Sequence, residues 1–318
     1  MTKPAAKPTA NRSLLLLPIL LLAAVGAWIA YQQIAAMSAA SAARQDLFAE
    51  LDEELAKEPI DGGAMSRLMA RLDKLEGADA DPQVAFARGR IELARDRVDR
   101  AYDAFAAVGT RPEADEAERR LLVAILLRKH QAGSADPAQA IGWLRDAAER
   151  AAAIAERNDS LNDWFVAWQA AVRLEDAASV TRARERLLAL DRESLAARLA
   201  VAQSSFRPEG PADELHALRG EFGKAPPELL AMIALAQLQA GELPKAVAEV
   251  DAVLLAAPGL SAVRWCAALI YHACALASQT PEQGASWRTR RDAQLDWLER
   301  NAAPEDSRRA TWTAMRQA

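Results

Sequence analysis

The side chains best suited to acid–base, nucleophilic or metal chemistry are three histidines, His130, His216 and His272, and two cysteines, Cys266 and Cys274. Their spacing argues against a reactive site. Each histidine stands alone on a predicted helix, and none lies at i, i+4 from another histidine or at metal-ligand spacing from a cysteine. His272 and Cys274 are two positions apart and so point in different directions on a helix. The cysteines are eight positions apart on one predicted helix, roughly 12 Å along its axis. Residues whose Cα atoms are more than about 7 Å apart cannot be bridged without moving backbone, so both are read as buried, unpaired small hydrophobes. The chain has no phosphate-binding G-x-x-x-x-G-K-[ST] loop and no G-x-S-x-G nucleophile elbow. Neither an enzyme nor a cofactor is expected.

Composition narrows the alternatives. The chain has 318 residues, of which 51% are hydrophobic, mostly Ala and Leu, and only 5% aromatic. The shortage of β-branched residues and of any period-2 alternation argues against a sheet. A net charge of -5 with no basic stripe argues against nucleic acid as a partner. Arg288, Arg290, Arg291, Arg308 and Arg309 make the C-terminal end locally basic. They are read as a solvated cap face, with an anionic lipid or an acidic partner as the alternative.

The N-terminal region reads as a membrane anchor. Residues 1–13 form a short polar tail, and Leu14 to Ala30 contain no charged residue. As a helix that run reaches about 26 Å, at the short end for crossing a bilayer core. Trp28 and Tyr31 stand where an interfacial aromatic belt would lie, and Pro18 is tolerable within a membrane helix. A cleaved signal peptide would need a shorter apolar run with small residues soon after it. The candidate cleavage site, Ala40-Ser41-Ala42, lies well downstream, so a retained span over 14–34 is expected. Lys3, Lys7 and Arg12 precede the span, whereas Asp46, Glu50, Asp52, Glu53 and Glu54 follow it. The positive-inside rule then places the tail in the cytoplasm and the remainder outside it. In a bacterium, which the Ala-rich composition suggests, that is a single-pass inner-membrane protein with a periplasmic C-terminal domain.

The rest of the chain reads as paired helices at a fixed period. The segment from Glu193 to Gln203 is answered by Glu228 to Gln237 and again by Ser261 to Tyr271. Aligned on the small residues Ala200, Ala234 and Ala268, the copies lie 34 residues apart. Ala240-Gly241 ends the first helix of the middle copy, and Ala246, Val250 and Pro258 follow at the positions that lock a second. Gly89, Ala101 and Phe105 repeat the arrangement earlier in the chain. Helical spacing also runs through Met65 to Leu75, Glu116 to His130, Pro137 to Ile154, Leu161 to Leu174 and Ala178 to Leu190.

This pattern resembles the tetratricopeptide repeat family, whose helix–turn–helix units bury their apolar faces only by stacking on neighbours. The resemblance implies an all-α fold, a right-handed α-solenoid of such hairpins over 41–303, preceded by one N-terminal transmembrane helix. A capping helix over 304–318 would complete it. In layout the chain also resembles bacterial single-span proteins with a periplasmic tetratricopeptide domain. The implied role is a membrane-tethered scaffold or adaptor for protein partners, assisting assembly or folding of envelope proteins. The alternative is a structural subunit of a larger secretion or cytochrome-maturation complex.

Carried over residue by residue, the family's concave wall falls on Leu235 and Leu238, then on Trp265, Leu269 and His272. Phe165 and Trp168 would extend it. None of these is Lys, Arg or Asn, which disfavours a clamp for a terminal carboxylate and favours an apolar or amphipathic segment as guest. Large apolar residues on amphipathic helices also suit a core, and that alternative stays open for Trp265 and Phe165.

Overall fold

In the computed structural model, residues 41–317 are described except 58, 76–80, 209, 211, 302–305 and 307. The predicted tail over 1–13 and span over 14–34 lie outside the described residues. Among the described residues every regular element is a helix, and no helix is long and apolar enough to cross a membrane.

The chain divides into two compact units, one ending at Ala87 and one beginning at Arg88. In the first, α1 (residues 41–55) and α2 (Gly62–Leu72) lie side by side. Leu47 and Leu51 of α1 are buried, as are Met65, Leu68 and Leu72 of α2. These positions follow the 3–4 spacing that puts apolar side chains on one face. An Arg71–Glu50 ion pair joins the two helices on the solvent side. Helix α2 starts where Asp61 caps it, its carboxylate accepting from Gly63 N at 2.7 Å.

The boundary between the units falls within α3 (Pro82–Ala94). The second unit continues with α4 (Val98–Gly109), α5 (Glu116–Ala132), α6 (Pro137–Asn158), α7 (Leu161–Leu174) and α8 (Ala177–Leu190). It goes on through α9 (Leu195–Ser205), α10 (Asp213–Glu221), α11 (Pro227–Gln239), α12 (Leu243–Ala256), α13 (Ser261–Leu276) and α14 (Pro281–Asn301). From α4 on, successive helices pack as antiparallel neighbours, and first helices of successive hairpins also touch: α7 with α9, α9 with α11, α11 with α13. That pairing is what makes a helical array an α-solenoid.

Local chemistry sets the hairpin boundaries. Asp115 and Glu118 form a reciprocal capping box at the start of α5, and Asp136, Ser160, Asp176 and Ser194 cap α6 to α9 through their side chains. Gly241, at φ 76, ends α11 in the left-handed region where a side chain is disfavoured. The small residues anticipated from the 34-residue period lie at close helix contacts: Ala200, Ala234 and Ala268 are fully buried. A Cβ on Gly89 would sit 3.0 Å from Phe105 Cβ, so the helices approach closely there as well.

The last helix, α15 (Arg309–Gln317), was expected from Pro304, and 302–305 lie outside the described residues. Its Trp312 and Met315 are buried against Leu295 and Leu298 of α14. They cover an apolar face that the final hairpin would otherwise leave in water.

The second unit also folds back on itself. The turn between α5 and α6 meets the turn between α12 and α13: Gly259 N donates to Gln131 O at 2.8 Å, and Gln131 Nε2 donates to Ala256 O at 3.2 Å. The backbones approach so closely that a Cβ on Gly259 would lie 2.1 Å from His130 O and 2.8 Å from Gly133 Cα. Farther along, Arg308 pairs with Glu175, in the turn between α7 and α8, at 2.6 Å. Gly259→Ala is therefore expected to spread this seam and to cost about 1–3 kcal/mol, the usual range for overpacking. Gly142→Ala is the control, since nothing lies within 4 Å of its Cβ and Ala is favoured over Gly inside a helix by roughly 0.5–1 kcal/mol. Urea melts of the two variants check this. Equal stability in both would mean that the seam tolerates a side chain.

Candidate binding groove

The fold-back forms an open cavity of about 1000 Å³ between α5, α7, α12 and the connection from α10 to α11. Its floor is apolar. Helix α5 contributes Val123, Ala124 and Leu127, and α6 contributes Ile154. Phe165 and Val166 come from α7, Leu230 from α11, and Ala252, Val253 and Ala256 from α12. Gln131 and Ala256, the partners in the seam, both line the cavity, so the contact that closes the array also forms one of its walls.

The lip is made of ion pairs. Arg120 grips Asp163 with two hydrogen bonds, Nε at 2.8 Å and Nη2 at 2.7 Å. Asp163 also accepts from Ser160 Oγ at 2.8 Å and Asn158 Nδ2 at 3.1 Å. The Arg120 hydrogen bond holds its carboxyl below the usual carboxylate range against the opposing effect of burial, and Ser160 and Asn158 add to the lowering. Arg219 pairs with Glu249 at 2.7 Å, and Arg128 pairs with Asp96. Deeper in, Arg173 donates to Glu228 Oε1 at 2.7 Å, and both side chains are 7% exposed. Lys224, in the connection before α11, is exposed at the lip.

Of the residues singled out in the sequence, Phe165 alone lines this cavity. It is half-buried and stacks on Trp168, with ring centroids 5.7 Å apart and planes 11° from parallel. Trp168 is fully enclosed. Leu235 and Leu238 are half-buried and pack against the core shared by α11, α12 and α13. Trp265 and Leu269 pack instead against the α14–α15 cluster around Leu295, Leu298 and Trp312. The two pairs thus join different clusters. The cap helix supplies the reason, because it covers the side of α13 that an open array would expose.

The groove residues on α5 and α12 and in the stretch from Phe222 to Pro227 carry no repeat signature. The Gly223 and Pro226-Pro227 punctuation marks a connection there but does not say that it lines a cavity. Hairpins far apart in the chain become neighbours only when the array winds back.

The histidines and cysteines remain apart from one another. His216 is exposed on α10. His272, half-buried on α13, meets Arg291 Nη1 at 3.1 Å, and desolvation together with that cation lowers its pKa. Cys266 and Cys274 are buried and free. Burial pushes both thiols up, and Cys266 Sγ donates to Ala231 O at 3.4 Å. Among the described residues no group of three or more His, Cys, Asp or Glu side chains could hold a metal ion.

His130 sits at the seam, buried, with Nδ1 3.2 Å from Ala140 O. Desolvation, opposed by that carbonyl, lowers its pKa from 6.5 to about 4; the Arg173 cation lowers it further and the Glu228 carboxylate opposes. A folded pKa below the unfolded one means that the unfolded chain binds the extra proton. The stability from keeping His130 neutral is therefore complete above pH 6.5 and is lost as pH falls toward 4. Stability should therefore fall as pH drops through that window, with a slope that for one group stays below about 1.4 kcal/mol per pH unit. Urea melts at pH 7, 6 and 5 should show it in the native protein and show it reduced in His130→Gln. Parallel slopes in the two proteins would remove His130 as the cause.

Neither a family model nor a curated protein matches the chain. Among solved structures, a tetratricopeptide repeat protein from Parabacteroides merdae is similar, with a TM-score of 0.44 and 12% sequence identity. The similarity covers 86% of this chain and 98% of that one.

Proposed function

We propose that this chain is a protein-interaction scaffold whose groove between α5, α7 and α12 receives an apolar or amphipathic segment of a partner protein. The cavity carries this reading: about 1000 Å³ of space with a largely apolar floor, walled by four separate parts of one solenoid. A preformed concave apolar surface with a few polar groups at its edge is the usual form of a binding site, and helix-in-groove docking is a recurring way for such surfaces to bind proteins.

The scaffold acts beside a membrane, tethered through the uncharged run within 14–34, with the solenoid on the periplasmic face of a bacterial inner membrane. The charge asymmetry supports this orientation: Lys3, Lys7 and Arg12 before the run, and an acidic stretch from Asp46 to Glu54 after it. Assisting the assembly or folding of envelope proteins fits a groove held at that surface.

Two experiments test the reading. A photo-crosslinking amino acid at position 165, on the groove floor, should capture protein partners in intact cells, whereas one at Leu255, which is 87% exposed and does not line the cavity, should not. No capture at 165, or equal capture at both positions, would remove the groove from the function. Protease added to spheroplasts should digest the solenoid, and protection until the membrane is lysed would overturn the orientation.

A further inference from the structure

The groove lip has an asymmetric arrangement of charge. The cations face outward: Arg120 is 49% exposed, Arg219 45% and Arg128 30%, and Lys224 is exposed without a carboxylate partner among the described residues. Of the four carboxylates paired with these arginines, two are turned inward, Asp163 at 6% exposure and Glu249 at 13%; Asp96 and Glu116, the latter 3.1 Å from Arg120 and 37% exposed, face solvent. A guest approaching the cavity therefore meets four exposed cations and two exposed carboxylates. The chain as a whole carries -5, whereas the groups exposed at this mouth are more often cationic than anionic, an arrangement that favours anionic partners there.

We infer that the groove, read as above as a protein-binding site, selects an acidic amphipathic helix. Such a helix would press its apolar face onto the Val123, Leu127 and Phe165 floor and turn its carboxylates toward Arg120, Arg128, Arg219 and Lys224. The dimensions suit it. A helix is about 10–12 Å across with side chains, so 1000 Å³ accepts roughly two turns. The distribution of the cations favours a peptide over a single-headed amphiphile such as a fatty acid. They come from α5, α10 and the connection after α10, and one carboxylate head cannot reach cations spread over three parts of the wall. Docking does not require the existing ion pairs to break, because each arginine has further N–H donors for a second acceptor.

The experiment uses the full chain in detergent and two fluorescent synthetic helices with the same leucine face, one bearing four glutamates and the other four lysines. The acidic helix should bind at least tenfold more tightly at low salt, and the gap should narrow as salt screens the lip. Arg128→Glu/Lys224→Glu, with its melting checked against the native protein, should reverse the preference. Arg128→Gln/Lys224→Gln should reduce it without reversal, and provides the same reading if the charge-reversed protein fails to fold. Equal binding of the two helices, no binding of the acidic one, or displacement of it by oleate with oleate indifferent to the charge reversal would each overturn the inference. If crosslinking at position 165 still captures protein partners while charge preference is absent, only the acidic selectivity falls. If that capture is absent too, the groove reading falls with it.

Discussion

Arg173→Ala should cost about 3–5 kcal/mol of stability, the range for removing one partner of a buried ion pair. Both members are 7% exposed, and they join the end of α7 to the start of α11 across the intervening hairpin. Glu228 Oε2 finds no hydrogen-bond partner among the described residues, so loss of the arginine would leave the buried carboxylate without its principal counter-charge. The size of the effect comes from that stranded charge rather than from the strength of the pair. Replacing both residues, as Arg173→Met/Glu228→Leu, should therefore restore most of the lost stability. Arg198→Ala provides the surface comparison, because its pair with Glu221 lies at 29% and 46% exposure and such pairs contribute about 0–1 kcal/mol. Urea unfolding of the four proteins checks the ordering. A loss below about 1 kcal/mol for Arg173→Ala would show that water reaches Glu228.

Trp168→Ala should be comparably damaging, about 3–5 kcal/mol, because the side chain is fully enclosed and its removal leaves a cavity that surrounding helices fill only in part. Trp168→Phe should cost much less. The indole Nε1 is buried without a hydrogen-bond partner among the described residues, and removing an unsatisfied donor recovers part of its desolvation cost, about 1–3 kcal/mol. That gain opposes the lost ring volume. The same pair of variants separates packing from binding at this position. Phe165 stacks on Trp168 and faces the cavity, so a damaged core would loosen the groove floor as well. Partner capture in Trp168→Ala should fall only in proportion to the fraction unfolded, and Trp168→Phe should bind as the native protein does. Unchanged melting with lost capture would put Trp168 itself in contact with the partner.

The sequence by itself determined the helices and their pairing. Ala200, Ala234 and Ala268 are legible because a small side chain is required wherever two helix backbones approach closely, and that requirement repeats with each hairpin. Asp61, Asp115, Ser160 and Ser194 are equally local: each satisfies N–H groups that a helix start leaves without partners. The depth of Trp168 and the fate of Trp265 are not local. A large apolar residue on an amphipathic helix has the same sequence signature whether it faces a groove or a neighbouring helix. Only the packing of α7, and the way α15 closes over α14, decides which.

The groove itself is a tertiary product. It exists because the α5–α6 turn meets the α12–α13 turn through the backbones of Gly133 and Gly259, more than a hundred residues apart in the chain. The winding that brings them together accumulates from small rotations between successive hairpins, and no residue type at any single position encodes their sum. The charges follow the same rule. Arg120 and Asp163 are ordinary helix-surface residues in sequence, yet folding buries the carboxylate and leaves the guanidinium at the mouth. Net charge alone describes an acidic protein, and burial decides which charges a partner meets.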